Sequence, residues 1–456
     1  MDQPPLLWWT TVVFRRGADG APRYRGIADD LERAVEAGVV GPGRRLPAER
    51  TLAAGLCVSR GTVVRAFEEL VARGVVERVH GSGTFVRARR TRPPRPAGPA
   101  TVESAVDDPI ELSHPVPADA THLPPVDWSV HPADFGAGMP TGGLPELRDA
   151  LSRFLTHRMN LPTRPEQVVV TTDADAALDA LLRAHRGRPI VAGPAWPALH
   201  AVIAGQDSAR VPLTVDAAGI DPTLLRRVLR RTGSPVVVLD PTESGPCGLP
   251  TAVSRLPRLA AALTDGAAVT VEDVSALPVE VAADPDRPPL AALSERVIAL
   301  GDLGRLFWAG AGIGWLRTTG AAPASPLPRP AIGAQLHAAR LLDAIDADWL
   351  RARREVLADR ATHLHRRLTA VLPSWVPATT LDGVRAALPV LDAATFVHVA
   401  ARFGVRVRPG HEGTADASVR DQLWLSATHP PETLDLAVDR LAAAWAEYTR
   451  RMAASV

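Results

Sequence analysis

The chain has 456 residues, 51 basic and 50 acidic side chains, a net charge of +1 and 46% hydrophobic residues. That length allows two or three domains with a large core, and the charge balance excludes a polycation, so any nucleic-acid affinity has to come from a local patch. Cys57 and Cys247 lie far apart without CxxC spacing, no run has the length of a membrane span, and the first residues lack a signal pattern. These absences exclude a disulfide framework and a cysteine metal site, and lead to the expectation of a reducing, cytoplasmic setting.

Leu6-Leu7-Trp8-Trp9 opens the chain and reads as a packing element. A first helix is expected over residues 24–38, with Ile27, Leu31, Ala34 and Val35 on one face. Residues 42–86 then read PGRRLPAERTLAAGLCVSRGTVVRAFEELVARGVVERVHGSGTFV. Leu52, Ala53 and Leu56 have the spacing of a short helix. Val58-Ser59-Arg60 is a tight connection, and Ser59 suits the N-cap of the next helix. That helix should bury Val63, Ala66, Phe67, Leu70 and Val71, leave Arg60, Gly61, Val64 and Arg65 exposed, and end at Gly74. Residues 75–79 and 84–86 are β-prone runs joined by His80-Gly81-Ser82-Gly83, a hairpin with glycine at its turn. This arrangement is a winged helix-turn-helix.

PGRRLPAER, CVSRGTV, AFEELVARGVV and HGSGTFV resemble, motif by motif and in order, the DNA-binding domain of GntR-type regulators. The resemblance implies double-stranded DNA as a partner, with the N-terminal end of the second helix in the major groove. Ser59, Thr62 and the free N–H groups there suit phosphate oxygens, and Gly61 allows close backbone approach. Arg60 and Arg65 have the reach for base edges. Arg50 suits the backbone or the edge of the site. At the wing, His80, Gly81, Ser82, Gly83 and Thr84 are candidates for DNA contact, with His80-Gly81 at the minor groove.

From Arg78 to Val102 there is no acidic residue, while Arg87, Arg89, Arg90, Arg92 and Arg95 accumulate among Pro93, Pro94, Pro96 and Pro99. This is an extended, semi-rigid linker, either a solvated spacer or an arm that adds phosphate contacts. Beyond Pro109 the pattern changes. Apolar runs at 168–172, 189–192, 236–240, 268–271 and 297–300 alternate with helical segments at 144–158, 174–184, 222–231 and 253–263. Buried strands alternating with helices imply an α/β domain with a mainly parallel sheet. After about residue 332 a long helix leads to a smaller α+β part containing residues 405–407, 422–426 and a final helix at 431–450.

The stretches GGLPELRDALSRFLTHRMNL, VVVTTDADAALDALLR, VVVLDPTESGPCGLP, VTVEDV and VIALGDLGRLFWAGAGIGWLR resemble a fold-type I aminotransferase, the pyridoxal-phosphate fold. A GntR-type head on such a body resembles the MocR family of bacterial transcription regulators. The resemblance also implies a cofactor site, and here the residues depart from it. The lysine that would form an imine aligns with Arg305, and the whole chain contains no lysine. The arginine that would hold the cofactor phosphate aligns with Gly312. The phosphate turn is Asp173-Ala174-Asp175, where Asp173 suits a helix N-cap and brings negative charge. A tyrosine is replaced by Ser275, and the arginine that would clamp a substrate carboxylate by Gln422. Asp273 matches the aspartate that pairs with the pyridine nitrogen, and Trp196 sits where an aromatic would stack. Each also has a structural reading, a capped strand end for Asp273 and a packed tryptophan for Trp196.

Gly310-Ala311-Gly312-Ile313-Gly314 is not GxGxxG and follows no strand directly, so a dinucleotide site is not expected. His363 and His365, two apart on a helix, face different sides and do not suit a shared metal. Glu272-Asp273 lacks a partnered base or nucleophile. The expectation is a non-enzymatic transcriptional regulator, with a winged-helix head over 1–88, a linker over 89–109 and an aminotransferase-like body over 110–456. Within the body, the large part covers about 130–335 and the small part about 336–456. The body should supply homodimerisation and an altered effector pocket formed by Asp173, Trp196, Asp273, Ser275, Arg305, Gly312 and Gln422. The alternative is a regulator or aminotransferase-like enzyme that binds pyridoxal phosphate noncovalently.

Overall fold

A computed structural model describes residues 9, 23–36, 40, 44–56, 58–79, 83–87, 109–117, 120–136, 138–193, 197–242, 250–267, 269–278, 287–320, 327–390, 393–410 and 420–453. His80, Gly81, Ser82, Trp196 and the linker residues 88–108 lie outside these. The chain divides into two compact units, residues 1–110 with 392–406 and 439–456, and residues 111–391 with 407–438.

In the first unit, helices α1 (Arg23–Glu36), α2 (Glu49–Leu56) and α3 (Arg60–Ala72) precede strands β1 (Val76–Val79) and β2 (Gly83–Val86). Ile27, Ala28, Leu31 and Ala34 of α1 pack with Leu52, Val63, Ala66, Phe67 and Leu70 around a buried Trp9. Val71, expected inside, is 39% exposed. The stripe ends one residue earlier because the chain leaves the helix at Arg73 and turns at Gly74, which has φ +71°. Arg73 fastens this corner to α1, donating to Asp29 (2.6 Å) and Glu32 (2.7 Å) as well as to Glu69. β1 and β2 pair antiparallel from Val76↔Val86 to Val79↔Gly83, and Leu46 N–H donates to Thr84 O beside them.

The chain continues through β3 (Ile110–Glu111), α4 (Pro145–Arg158), β4 (Val168–Thr171), α5 (Ala174–Ala184), β5 (Ile190–Ala192), α6 (Pro197–Ala204) and β6 (Arg210–Pro212). Next come β7 (Val215–Asp216), β8 (Gly219–Ile220), α7 (Pro222–Thr232), β9 (Val236–Leu239), α8 (Leu256–Gly266), β10 (Val269–Asp273), α9 (Leu290–Leu293), β11 (Val297–Asp302) and β12 (Gly314–Arg317). The rest is α10 (Ile332–Ala344), α11 (Ala347–Val371), β13 (Val376–Thr379), β14 (Gly383–Ala387), α12 (Ala394–Arg402), β15 (Val405–Arg406), β16 (Arg408–Pro409), β17 (Gln422–Ser426) and α13 (Pro431–Ala453).

The second unit is built on a seven-stranded sheet in the order β4-β12-β11-β10-β9-β5-β6. Every neighbouring pair is parallel except those of β12, which runs antiparallel to both β11 and β4. Strand β9 shows why the sequence reads as an unbroken apolar run. Val237 and Leu239 face a layer containing Leu147, Leu256 and Leu259, while Val236 and Val238 face one containing Leu178, Leu199 and Ile203. Helices cover both faces, so both sides of the strand must be apolar. β13, β14, β17 and β16 form a second, antiparallel sheet. β13 and β14 are not evident in the sequence pattern. The long helix expected after residue 332 is two helices. The break comes at Asp346, whose side chain caps α11 by accepting from Trp349 N–H at 2.8 Å.

Candidate functional site

On the first unit, the N-terminal turn of α3 is exposed and pre-shaped. Ser59 accepts from Thr62 N–H at 3.1 Å, and its hydroxyl also meets Thr62 Oγ1 at 2.8 Å. The expected cap is therefore present, and Ser59, Arg60 and Gly61 are exposed with Thr62 half-buried. Arg50 is exposed on α2. Glu49 holds two arginines at once, Arg60 at 3.3 Å and Arg78 of β1 at 3.4 Å. One carboxylate thus ties α3 to β1. Such surface pairs contribute about 0–1 kcal/mol, so Glu49 positions the arginines without locking them. Arg65 is placed differently. Its guanidinium lies over the Tyr24 ring, 5.2 Å from the centroid, on the side of α1. Gly83, φ +118°, lies against the Arg45 guanidinium, and a Cβ there would come within 2.9 Å of Arg45 Nε. Arg45, Glu49, Arg78 and Tyr24 escaped the sequence reading, because they act through partners distant along the chain.

On the second unit, the parallel strands end beside a cavity of about 380 Å³ lined by Glu111, His114, Thr172, Asp173, Asp302, Gly312 and His429, among others. This is where an open α/β sheet places ligands, outside the carboxyl ends of its strands. Of the expected pocket residues, Asp173 and Gly312 reach this lining, and Asp273, Ser275, Arg305 and Gln422 do not. Asp173 caps α5, accepting from Ala176 N–H at 2.6 Å and from Thr172 Oγ1 at 2.9 Å. Its backbone packs so tightly on β12 that a Cβ on Gly314 would fall 2.4 Å from it. Gly312 is left-handed, φ +56°, a conformation that disfavours an arginine. Asp273 accepts from Ser275 N–H at 3.0 Å and Ser275 Oγ at 2.7 Å, the geometry of a capped strand end. Asp302 N–H then donates to Ser275 Oγ at 3.3 Å.

Arg305 does not project as a free base. Its Nε donates to Asp382 Oδ2 at 2.9 Å, its terminal nitrogen lies 2.9 Å from the same oxygen, and both side chains are buried. Burial pushes the Asp382 carboxyl up, and Arg305 pulls it back. Gln422 begins β17, where its Oε1 is buried without a hydrogen-bond partner among the described residues. Negative charge accumulates around the strand ends. Burial, then the charges of Asp173, Asp302 and Asp273, push Asp175 up to about 7. Burial and Asp273 push Asp302 up to about 6. His114 is pushed down to about 4 by burial and Arg408, so it is neutral near pH 7. Glu272 has a structural task. Its two oxygens accept from Leu290 and Ala291 N–H, each at 2.8 Å, satisfying the start of α9. His363 pairs with Asp435 at 2.8 Å. Among the described residues no group of three or more His, Cys, Asp or Glu is placed to hold a metal ion. No described helix is long and apolar enough to cross a membrane.

Comparison with known proteins agrees with this two-part architecture. Residues 23–86 match the family of bacterial regulatory proteins of the gntR type, and residues 133–262 match aminotransferase class I and II. The chain thus joins a GntR-type winged helix-turn-helix to a fold-type I aminotransferase-like domain. That is the layout of MocR-type regulators. It is 30% identical over 286 residues to the HTH-type pyridoxine biosynthesis transcriptional regulator PdxR of Corynebacterium glutamicum, covering 60% of this chain and 61% of that one. It is 30% identical over 202 residues to the probable rhizopine catabolism regulatory protein MocR of Rhizobium meliloti, covering 38% and 40%. The chain therefore spans about 61% and 40% of these two relatives. An archaeal alanine:glyoxylate aminotransferase shares the fold, with a TM-score of 0.64, 22% identity and coverage of 74% of this chain and 91% of that one.

Proposed function

We propose that the chain is a sequence-specific DNA-binding transcriptional regulator of the cytoplasm, acting as a homodimer. In this reading the head is residues 1–88, the linker 89–109 and the body 110–456. The observation that carries it is the exposed first turn of α3, where Ser59, Arg60, Gly61 and Thr62 stand together and Glu49 links Arg60 to Arg78 of the wing. Arg60 is assigned to base edges, and Ser59, Thr62 and Arg50 to the backbone. His80, Gly81, Ser82, Gly83 and Thr84 are assigned to the wing contact. Arg65 would have to leave Tyr24 to join them, so it is assigned second to Arg60. Selection of bound fragments from genomic DNA tests the reading. One enriched motif is expected, and its absence would overturn it.

The body is assigned to dimerisation and effector sensing without Schiff-base chemistry, and not to catalysis. The residues present do not fit pyridoxal phosphate. An imine needs a neutral primary amine, and Arg305 is a charged guanidinium paired with Asp382. A phosphate needs free N–H groups and positive charge, but Asp173 occupies the start of α5 and Asp302 and Glu111 share the lining. The effector expected in this cavity therefore carries no phosphate. Thermal shift against a metabolite panel tests it, since a ligand preferring the folded chain raises Tm. Stabilisation by pyridoxal phosphate alone would contradict it.

A further inference from the structure

Helix α7 reads PTLLRRVLRRT. Pro222, Leu225 and Leu229 are buried on one side of it. Arg226, Arg227, Arg230 and Arg231 are exposed on the other side, two i, i+4 ridges side by side. The helix contains no carboxylate, and none of these four has an ion-pair partner among the described residues. Exposed arginines elsewhere often do, as in Arg351–Asp348, Arg153–Asp343 and Arg450–Glu447.

One more guanidinium group reaches the end of the face. Arg188 donates to Ser234 O at 3.2 Å, which brings it to the C-terminal end of α7. Arg210 opens β6 opposite Ile190, two residues beyond Arg188, and Arg186 is exposed nearby along the chain. Asp221 caps the far end of α7, and Asp207 and Asp265 are the carboxylates closest along these segments. The C-terminal end of α7, with Arg230 and Arg231, leads into β9 through Ser234, beside the start of β5.

We propose that this arginine face on α7 is a second DNA contact, one that grips the phosphate backbone without reading sequence. Charge complementarity selects the occupant. Guanidinium groups pair with phosphate oxygens in a bidentate fork, and side chains about 5–6 Å apart along a ridge suit successive phosphates. The contact does not depend on the effector reading.

The test uses the full chain and a variant with Arg226→Gln, Arg227→Gln, Arg230→Gln and Arg231→Gln. Binding to a long mixed-sequence duplex is measured across a salt series, with the melting temperature as a check on folding. Each lost phosphate contact flattens the slope of log K against log salt by about 0.9. The variant should lose about 2–4 units of slope and about tenfold or more in affinity, with its selected motif unchanged. An unchanged slope with the fold intact would overturn the proposal. So would an equal loss in a control variant, Arg351→Gln with Arg354→Gln on α11. Loss of motif preference in Arg60→Ala with the slope retained would separate this contact from readout by the head.

Discussion

Arg305, which the resemblance aligns with the lysine of an aminotransferase-like fold, pairs with the buried carboxylate of Asp382. Breaking such a pair leaves an uncompensated buried charge. Arg305→Met should therefore cost about 3–5 kcal/mol of body stability, while adding Asp382→Leu should recover most of that loss. Denaturant unfolding of the single and double variants checks it, and equal stabilities would contradict the ion-pair role. Asp175 gives a pH prediction. Its folded pKa, about 7, is raised above the ordinary carboxylate value by burial and by Asp173, Asp302 and Asp273. Its favourable contribution is full below about pH 4 and is lost as pH rises toward 7. Asp175→Asn should raise Tm clearly at pH 8 and much less at pH 5, by calorimetry at the two pH values. The cap made by Asp173 was legible in the sequence, because it acts within three residues of the chain. Asp382 and Glu111 were not, because each meets its partners from a segment far along the chain.

Among the elements, α3 was the most legible. Its cap, apolar stripe and terminating glycine all act within a few residues, and local rules fix them. Ser59→Ala should lower the stability of the head by about 1 kcal/mol, seen as an earlier unfolding step in the full chain. No change would mean that the Thr62 N–H finds water at no cost. The central strands were legible for a related reason, since coverage on both faces leaves an apolar run. β13 and β14 escaped notice because their burial alternates irregularly around small residues. Gly383 is an example, since a Cβ there would approach Leu425 O within 2.4 Å and Trp424 within 2.8 Å. That requirement appears only once β14 and β17 are paired. The break at Asp346 was also hidden, because helical composition continues on both sides and only the cap marks it.

At the scale of the whole molecule, a winged helix-turn-helix is joined to an aminotransferase-like domain whose strand-end cavity is lined by Glu111, Asp173 and Asp302. Pyridoxal phosphate followed by borohydride should leave no adduct on any internal residue, and Arg305→Lys alone should not restore transamination. Gly312, Asp173, Ser275 and Gln422 would remain unsuited to it. Mass spectrometry of the treated chain checks the first statement, and an internal adduct would contradict it. The central claim is that α3 reads sequence through Arg60, and binding-site selection with the wild-type chain and Arg60→Ala tests it most directly. A bidentate arginine–guanine pair discriminates by roughly 1–3 kcal/mol, so the wild type should yield one motif and the variant should lose preference at one position in each half-site. An identical motif from both proteins, or no motif from the wild type, would contradict the account.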